Sequence, residues 1–204
     1  MELHEAIRQI SAIRQQMART EQFRGYRAAP AACSGLLAFA AGAYQSLALP
    51  NPQTALDPYL ILWLSIAVVG FVLSMIDIVI RYTRSTGQLN RETTRLALGQ
   101  FLPSLATGGL VTIALANASP ESAWLLPGLW SLFFSLGLFA SRTWLPRPIT
   151  AVAAYYLLGG LFIIAQGNPD LTFSPWTMPL LFGVGQLASA LILFHDEQTQ
   201  DTTR

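Results

Sequence analysis

The chain has 204 residues, of which 52% are hydrophobic and only 11% are charged, and its mean hydropathy is +0.43. Soluble domains carry about 25% charged residues, so a water-soluble fold would leave much of this apolar surface in contact with water. The net charge of +1 argues against a nucleic-acid-binding protein, and the single cysteine, Cys33, excludes an internal disulfide and a cysteine-only zinc site. The composition therefore predicts an integral membrane protein that does not bind nucleic acid.

Residues 1–27 differ from the rest of the chain because they carry charges throughout and contain no long apolar run. Apolar side chains recur at the three- and four-residue spacing of one helix face, at Leu3, Ile7, Ile10, Ile13 and Met17. The pattern predicts a cytoplasmic amphipathic helix, with no cleaved secretory signal before the first span. This helix can lie in the headgroup layer, fold back under the bundle, or pair with a partner helix.

Six apolar segments follow, each close to the length that an α-helix needs to cross a hydrocarbon core of about 30 Å. They are residues 28–49, 58–82, 96–116, 122–141, 149–166 and 175–194. The connections are short and rich in Pro, Asn, Ser and Gly, which is typical of turns. The sequence thus predicts an all-α, polytopic fold, with one six-helix transmembrane domain over residues 28–195 and a disordered cytoplasmic tail over residues 196–204.

The basic residues, all of them arginine, indicate the orientation of these spans. Five precede the first span, four lie between the second and third, two lie between the fourth and fifth, and one ends the chain. The other three connections contain none, so with six spans every arginine falls on one side of the membrane. The positive-inside rule makes that side cytoplasmic, together with both termini.

A repeat relates the last four spans. Residues 174–182, SPWTMPLLF, match residues 122–130, SAWLLPGLW, at Ser, Trp, Pro and Leu, and a Gly-Gly-Leu sequence precedes each copy, at 108–110 and 159–161. The match predicts two-helix hairpins related by an axis along the membrane normal, with a third, weaker copy in the first two spans. The glycine pairs are predicted to let helices approach closely.

Each outer connection carries one acid followed by an aromatic residue. The acids are Asp57, Glu121 and Asp170, and the aromatic residues are Tyr59, Trp124 and Trp176. Tyr and Trp at this depth are typical of an interfacial belt, which is the preferred interpretation. A ring of three carboxylates at a pore mouth is the alternative.

Four polar residues within or at the edge of the spans are the candidate functional or structural residues. Asp77 precedes Arg81 by four residues, so the two can pair on one helix face while the arginine reaches the headgroups. An ion or proton site at Asp77 is the alternative, and the pair could also anchor the N-terminal helix through one of its arginines. Gln186 lies near the middle of the last span, where an interhelical hydrogen bond is the simpler role. Gln100 lies on one face of the third span, near Pro103, which could interrupt that helix as in transporter sites.

The motifs of familiar enzymes are missing from the sequence. Its two histidines, His4 and His195, fall at the cytoplasmic edge, and it contains no HExxH and no Gly-rich phosphate loop. Asp77 is the one carboxylate within a span, whereas an aspartyl-type site needs two. The sequence therefore predicts a protein without catalytic residues, cofactor or metal site.

Two runs of sequence resemble a group of known proteins. They are AIRQISAIRQQMARTEQFRGYRAAPAACSGLLAFAAGA, residues 6–43, and LPGLWSLFFSLGLFASR, residues 126–142. Both are similar to segments of small uncharacterised bacterial six-span inner-membrane proteins, which have an arginine-bearing N-terminal helix. The resemblance implies a location in the bacterial inner membrane and implies no activity.

Together these features predict a non-catalytic integral membrane protein. It is expected to act as an accessory, scaffold or regulatory subunit through helix contacts, in the lipid bilayer and with a membrane-protein partner or as a homo-oligomer. The alternative is a small transporter or channel with a path between the hairpins and Asp77 near its cytoplasmic end.

Overall fold

The structure is a computed structural model that describes residues 28–49, 56–84 and 88–202. In these ranges it is helical and contains no strand, and six helices are long and apolar enough to cross a membrane. The predicted all-α, polytopic fold with six spans is thereby confirmed. The predicted amphipathic helix, with Leu3, Ile7, Ile10, Ile13 and Met17, lies outside the described residues.

The helices of the described residues are numbered here in chain order. They are α1 (Ala28–Ala48), α2 (Leu56–Arg84), α3 (Gln88–Ala118), α4 (Leu126–Ala140), α5 (Ile149–Gln166), the short α6 (Pro169–Thr172) and α7 (Val184–Thr202). A 3-10 helix (Pro120–Leu125) leads into α4, another (Arg142–Trp144) follows it, and a π-helix (Pro179–Gly183) leads into α7. Because α1 crosses the bundle once, we call the two ends of the bundle the Ala28 end and the Ala48 end, after the first and last residues of α1.

Several helix bounds differ from the predicted ones. The predicted fifth span coincides with α5, whereas α2 and α3 run past their predicted spans to lengths of 29 and 31 residues. The last helix continues through Thr202, so most of the tail predicted to be disordered is helical. The interruption considered at Pro103 is not present, because α3 is continuous through that residue, and the irregular helix is instead Pro179–Gly183.

Each spanning helix packs against the next in the order α2, α1, α7, α5, α4, α3. The pair α4–α5 has the most extensive contact, whereas the described residues of the consecutive helices α2 and α3 have only limited contact with each other. The buried apolar side chains form one cluster at each end of the bundle. The Ala48-end cluster includes Tyr59, Trp63, Leu126, Phe173 and Met178. The Ala28-end cluster includes Phe101, Leu138, Ile149, Tyr156 and Leu193.

Glycines set the closest approaches between helices, though only one of the two predicted glycine pairs does so. A Cβ on Gly160 would stand 2.8 Å from the carbonyl oxygen of Gly128, so α4 and α5 touch there backbone to backbone. A Cβ on Gly108 would meet only the ring of Phe133, at 3.7 Å, and one on Gly109 would meet no described atom within 4 Å. The prediction is thus confirmed for α5 and wrong for α3, which meets α4 through larger side chains.

Candidate functional site

The most completely buried amide side chain of the described residues is Gln45, in the last turn of α1. It has no exposed surface. A polar group buried in this way costs free energy unless it has a hydrogen-bond partner. Its Nε2 donates a hydrogen bond of 2.8 Å to the carbonyl oxygen of Phe173, and its Oε1 accepts one of 2.8 Å from Nε1 of Trp63. Gln45 therefore joins α1, α2 and the connection between α6 and α7.

The backbone segment that accepts the hydrogen bond from Gln45 follows a tight turn after α5. Gly167 ends α5 with a φ of 57°, a left-handed conformation that favours glycine. Asn168 then caps α6, because its side-chain oxygen accepts from the backbone N–H groups of Asp170 and Leu171 at 3.0 and 3.4 Å. This turn places Phe173 over the start of α2.

Tyr59 lies in the same cluster, which corrects its assignment to an interfacial belt. Its side chain is fully buried, with the ring edge-on to Phe173 at a centroid distance of 4.9 Å. Its hydroxyl is buried and has no hydrogen-bond partner among the described residues. The prediction failed because the chain around Phe173 covers the first turn of α2, a contact that proximity to a loop in sequence does not reveal.

The other residues of the predicted belt and ring lie nearer the surface. Trp176 is exposed and Trp124 is half-buried. The acids Asp57, Glu121 and Asp170 are all exposed.

A second set of hydrogen bonds joins α4 to its neighbours. Ser131 and Ser135 are fully buried and donate to the carbonyl oxygens of Tyr156 and Ala153, each at 2.7 Å. On the other side of α4, Nε1 of Trp130 donates to Thr112 Oγ1 at 2.8 Å. These polar groups are used to hold α3, α4 and α5 together.

The π-helix before α7 is held by two tyrosines of α5. The hydroxyl of Tyr155 donates to the carbonyl oxygen of Leu180, and that of Tyr156 donates to the carbonyl oxygen of Phe182 at 3.3 Å. A π-turn and a proline disturb the regular pairing of helix carbonyls, and neighbouring side chains can satisfy the freed oxygens. Both tyrosines thus use their hydroxyl groups to hold the π-helix against α5.

Asp77 and Gln186, two of the four candidate residues, lie at different levels of the bundle. Asp77 is half-buried on α2, Gln186 is half-buried on α7, and Gln100 is exposed on α3. The side chain of Arg81 lies outside the described residues, so its pairing with Asp77 stays a prediction. The register of α1 against its neighbours places Gln186 level with Leu36 and Asp77 beyond Ala28, so about 13 Å of helix rise separates the two levels.

Sequence reasoning missed the role of Gln45, although a signal for it exists. Ser34, Ala38 and Gly42 follow one another at four-residue steps along α1, and Gln45 continues this stripe by three residues. Gly42 faces Pro179 across the contact between α1 and the π-helix. A large amide at the end of a stripe of small residues therefore indicated a buried hydrogen-bonding side chain.

The arrangement as a whole ties helices together through hydrogen bonds to backbone carbonyls. Within the described ranges, no group of three or more His, Cys, Asp or Glu side chains is placed to hold a metal ion. The thiol of Cys33 is exposed on α1. No protein-family model matches the chain, and no curated protein or solved structure matches it either.

Proposed function

We propose that the chain is a non-catalytic, multi-pass protein of the bacterial inner membrane that acts as an accessory, scaffold or regulatory subunit through helix contacts. Its contact surface for a partner membrane protein is the exposed side of α2. The observation that carries this proposal is the low burial of that helix: 17% of its span Leu56–Ile80 is buried. The spans of α1, α4, α5 and α7 are buried to 33%, 44%, 33% and 39%.

The exposed side of α2 is a continuous apolar stripe. It consists of Ile61, Val68, Val72, Ile76 and Val79, and each of these side chains is between 45% and 66% exposed. All five are β-branched, so they have few rotamers to lose when another helix packs against them. Lipid tails are as apolar as these side chains, so a partner is selected here by close packing and not by hydrophobicity.

The helix next in the chain leaves this stripe uncovered. Consecutive helices joined by a short connection usually pack side by side, yet α2 and α3 have limited contact. The span of α3, Leu98–Ala118, is also only 17% buried. The spans of α2 and α3 are thus the two least buried of the six described spans.

The interior supports a packed bundle more than a water path. The rings of Phe134, Tyr156 and Phe182 pack against one another with centroid distances of 4.9, 5.3 and 5.8 Å between α4, α5 and the π-helix. The alternative function, a small transporter or channel with Asp77 near its cytoplasmic end, needs water to reach the middle of the bundle.

The location of the chain in the bacterial inner membrane and the cytoplasmic position of its termini are part of the same proposal. The resemblance of residues 6–43 and 126–142 supports the bacterial inner membrane, and the distribution of arginines supports cytoplasmic termini.

The experiment is a comparison of co-purifying proteins in a mild detergent. The wild-type protein is compared with Val72→Trp, on the exposed stripe of α2, and with the control Leu158→Trp, on the exposed side of α5. Quantitative mass spectrometry is expected to find a membrane protein that is lost with the Val72 variant and kept with the Leu158 variant. The same co-purifying set in all three samples would contradict the proposal.

A further inference from the structure

The connection between α4 and α5, residues 141–148, carries two exposed arginines, Arg142 and Arg147. The helices on both sides of it are long and apolar enough to cross a membrane, and they end at Ala140 and begin at Ile149. Because the connection is short, it stays close to the surface of the bilayer. Both guanidinium groups therefore lie at the depth of the lipid headgroups.

The backbone of this connection is fixed by packing and by a short turn. Leu145 is 7% exposed and packs in the Ala28-end cluster. Its N–H donates to the carbonyl oxygen of Arg142 at 3.4 Å, and this turn keeps the Cα atoms of the two arginines within about 14 Å of each other. Arg147 lies between Pro146 and Pro148, whose rings restrict the backbone on both sides of it. A ligand of the two arginines therefore meets an ordered backbone, which lowers the cost of binding.

The positive charge of the connection is not balanced locally. The structure gives neither guanidinium group a hydrogen-bond or ion-pair partner among the described residues, and residues 141–148 include no acid. The acids nearest in sequence, Glu121 and Asp170, lie at the other ends of the two spans. The complementary ligand is an anion at the headgroup level, and a phosphate group matches the planar fork of arginine.

An exposed, largely apolar stripe runs from this connection along α5. Exposed residues recur there at steps of four, three and four, which places them on one helix face: Ala151, Tyr155, Leu158 and Phe162. Leu158 is 65% exposed and lies about 14 Å beyond Ile149, close to the middle of a hydrocarbon core of about 30 Å. The stripe therefore reaches as deep as the acyl chains of one leaflet.

We propose that the connection between α4 and α5 binds one anionic phospholipid, with its phosphate group between Arg142 and Arg147 and an acyl chain along the exposed stripe of α5. Basic sites between spanning helices suit such headgroups. A free phosphate ion would use the arginines and leave the stripe unused, so the two features together favour the lipid. The inference goes beyond the proposed function and does not depend on it, because it needs only the spans on either side of the connection.

The experiment is native mass spectrometry of the whole chain, purified in detergent, with added phosphatidylglycerol or phosphatidylethanolamine that carry the same acyl chains. The wild-type protein is compared with Arg142→Gln, with Arg147→Gln and with the double variant. Arg204→Gln, which removes the same charge from the last residue of the sequence, is the control. Circular dichroism checks that each variant keeps its helix content.

The proposal predicts that the wild-type protein binds one phosphatidylglycerol, and binds it more tightly than phosphatidylethanolamine. Each single substitution is expected to weaken the binding of phosphatidylglycerol about 5-fold and the double substitution about 25-fold, while the control binds like the wild type. Equal affinity for the two lipids, or the same loss in the control, would overturn the proposal. Displacement of the lipid by excess inorganic phosphate would also overturn it, because the acyl chain would then contribute nothing.

A photoreactive lipid gives an independent readout that needs no variant. Phosphatidylglycerol or phosphatidylethanolamine with a diazirine in one acyl chain is mixed into phosphatidylcholine vesicles that hold the wild-type protein, and the adducts are mapped by peptide mass spectrometry. The phosphatidylglycerol probe is expected to give the higher yield around Leu158, whereas the two probes should give equal yields around Val72, on the exposed stripe of α2. Equal yields around Leu158 would overturn the proposal.

Discussion

Replacement of Gln45 by alanine tests the hydrogen bonds that hold the Ala48 end of the bundle together. The substitution removes two hydrogen bonds of 2.8 Å and leaves the indole N–H of Trp63 and the carbonyl of Phe173 without this partner. A buried group left unsatisfied costs about 1–3 kcal/mol in a water-soluble protein. Interhelical hydrogen bonds within membranes contribute less, about 0.6 kcal/mol on average and at most about 1.7 kcal/mol. Because two such bonds and a cavity are involved, we expect a loss of about 2–4 kcal/mol in the free energy of unfolding.

The loss is measured by SDS-induced unfolding in mixed micelles, followed by far-ultraviolet circular dichroism. A double-mutant cycle with Trp63→Phe separates the hydrogen bond from the cavity, and its coupling energy is expected to be about 0.6–1.7 kcal/mol. Gln166→Ala, at the exposed end of α5, is the control and should change the free energy by less than about 0.5 kcal/mol. A coupling energy of zero would refute the reasoning, because the bond between Gln45 and Trp63 would then contribute nothing to stability.

Three further predictions concern packing, charge and orientation. Gly160→Ala is expected to lower the free energy of unfolding by about 1–3 kcal/mol, because the new Cβ meets a backbone oxygen. Gly109→Ala on α3 is expected to leave the free energy of unfolding unchanged or to raise it by up to about 1 kcal/mol. Equal shifts of the two thermal midpoints would contradict this prediction. Asp77→Asn is expected to leave co-purification of a partner unchanged, because Asp77 lies off the exposed stripe of α2, whereas loss of the partner would favour a functional role for this carboxylate. A reporter fused after Arg204 is expected to be active only in the cytoplasm, and activity on the other side of the membrane would reverse the orientation.

The spans could be predicted because a long apolar run has few other stable forms. Inside a bilayer every backbone group must be satisfied within the segment, so such a run becomes a helix wherever it crosses. The same reasoning could not give the lengths of α2 and α3, which continue past the apolar residues, since helix geometry itself does not stop at the membrane edge. The tail after residue 195 is polar and was expected to be disordered, but it continues α7 through Thr202.

The contacts at the Ala48 end could not be predicted because they join segments far apart in the chain. Gln45 and Phe173 are separated by 128 residues, and no local pattern reports such a contact. The repeat contains matching prolines, yet the first copy starts within a 3-10 helix and the second copy ends within a π-helix. The π-helix depends on the hydroxyls of Tyr155 and Tyr156, which have no counterpart in the match of residues 122–130 to residues 174–182.

The measurement that tests the central claim most directly is site-specific photo-cross-linking in living cells. A photoreactive amino acid is placed at Val68, Val72 and Ile76 on the exposed stripe of α2, and at Leu158 on α5 as the control. A helix-contact protein that uses α2 should give one discrete protein adduct from the three stripe positions and none from Leu158. Lipid adducts alone, or the same protein adducts from both helices, would contradict the assignment of α2 as the contact surface.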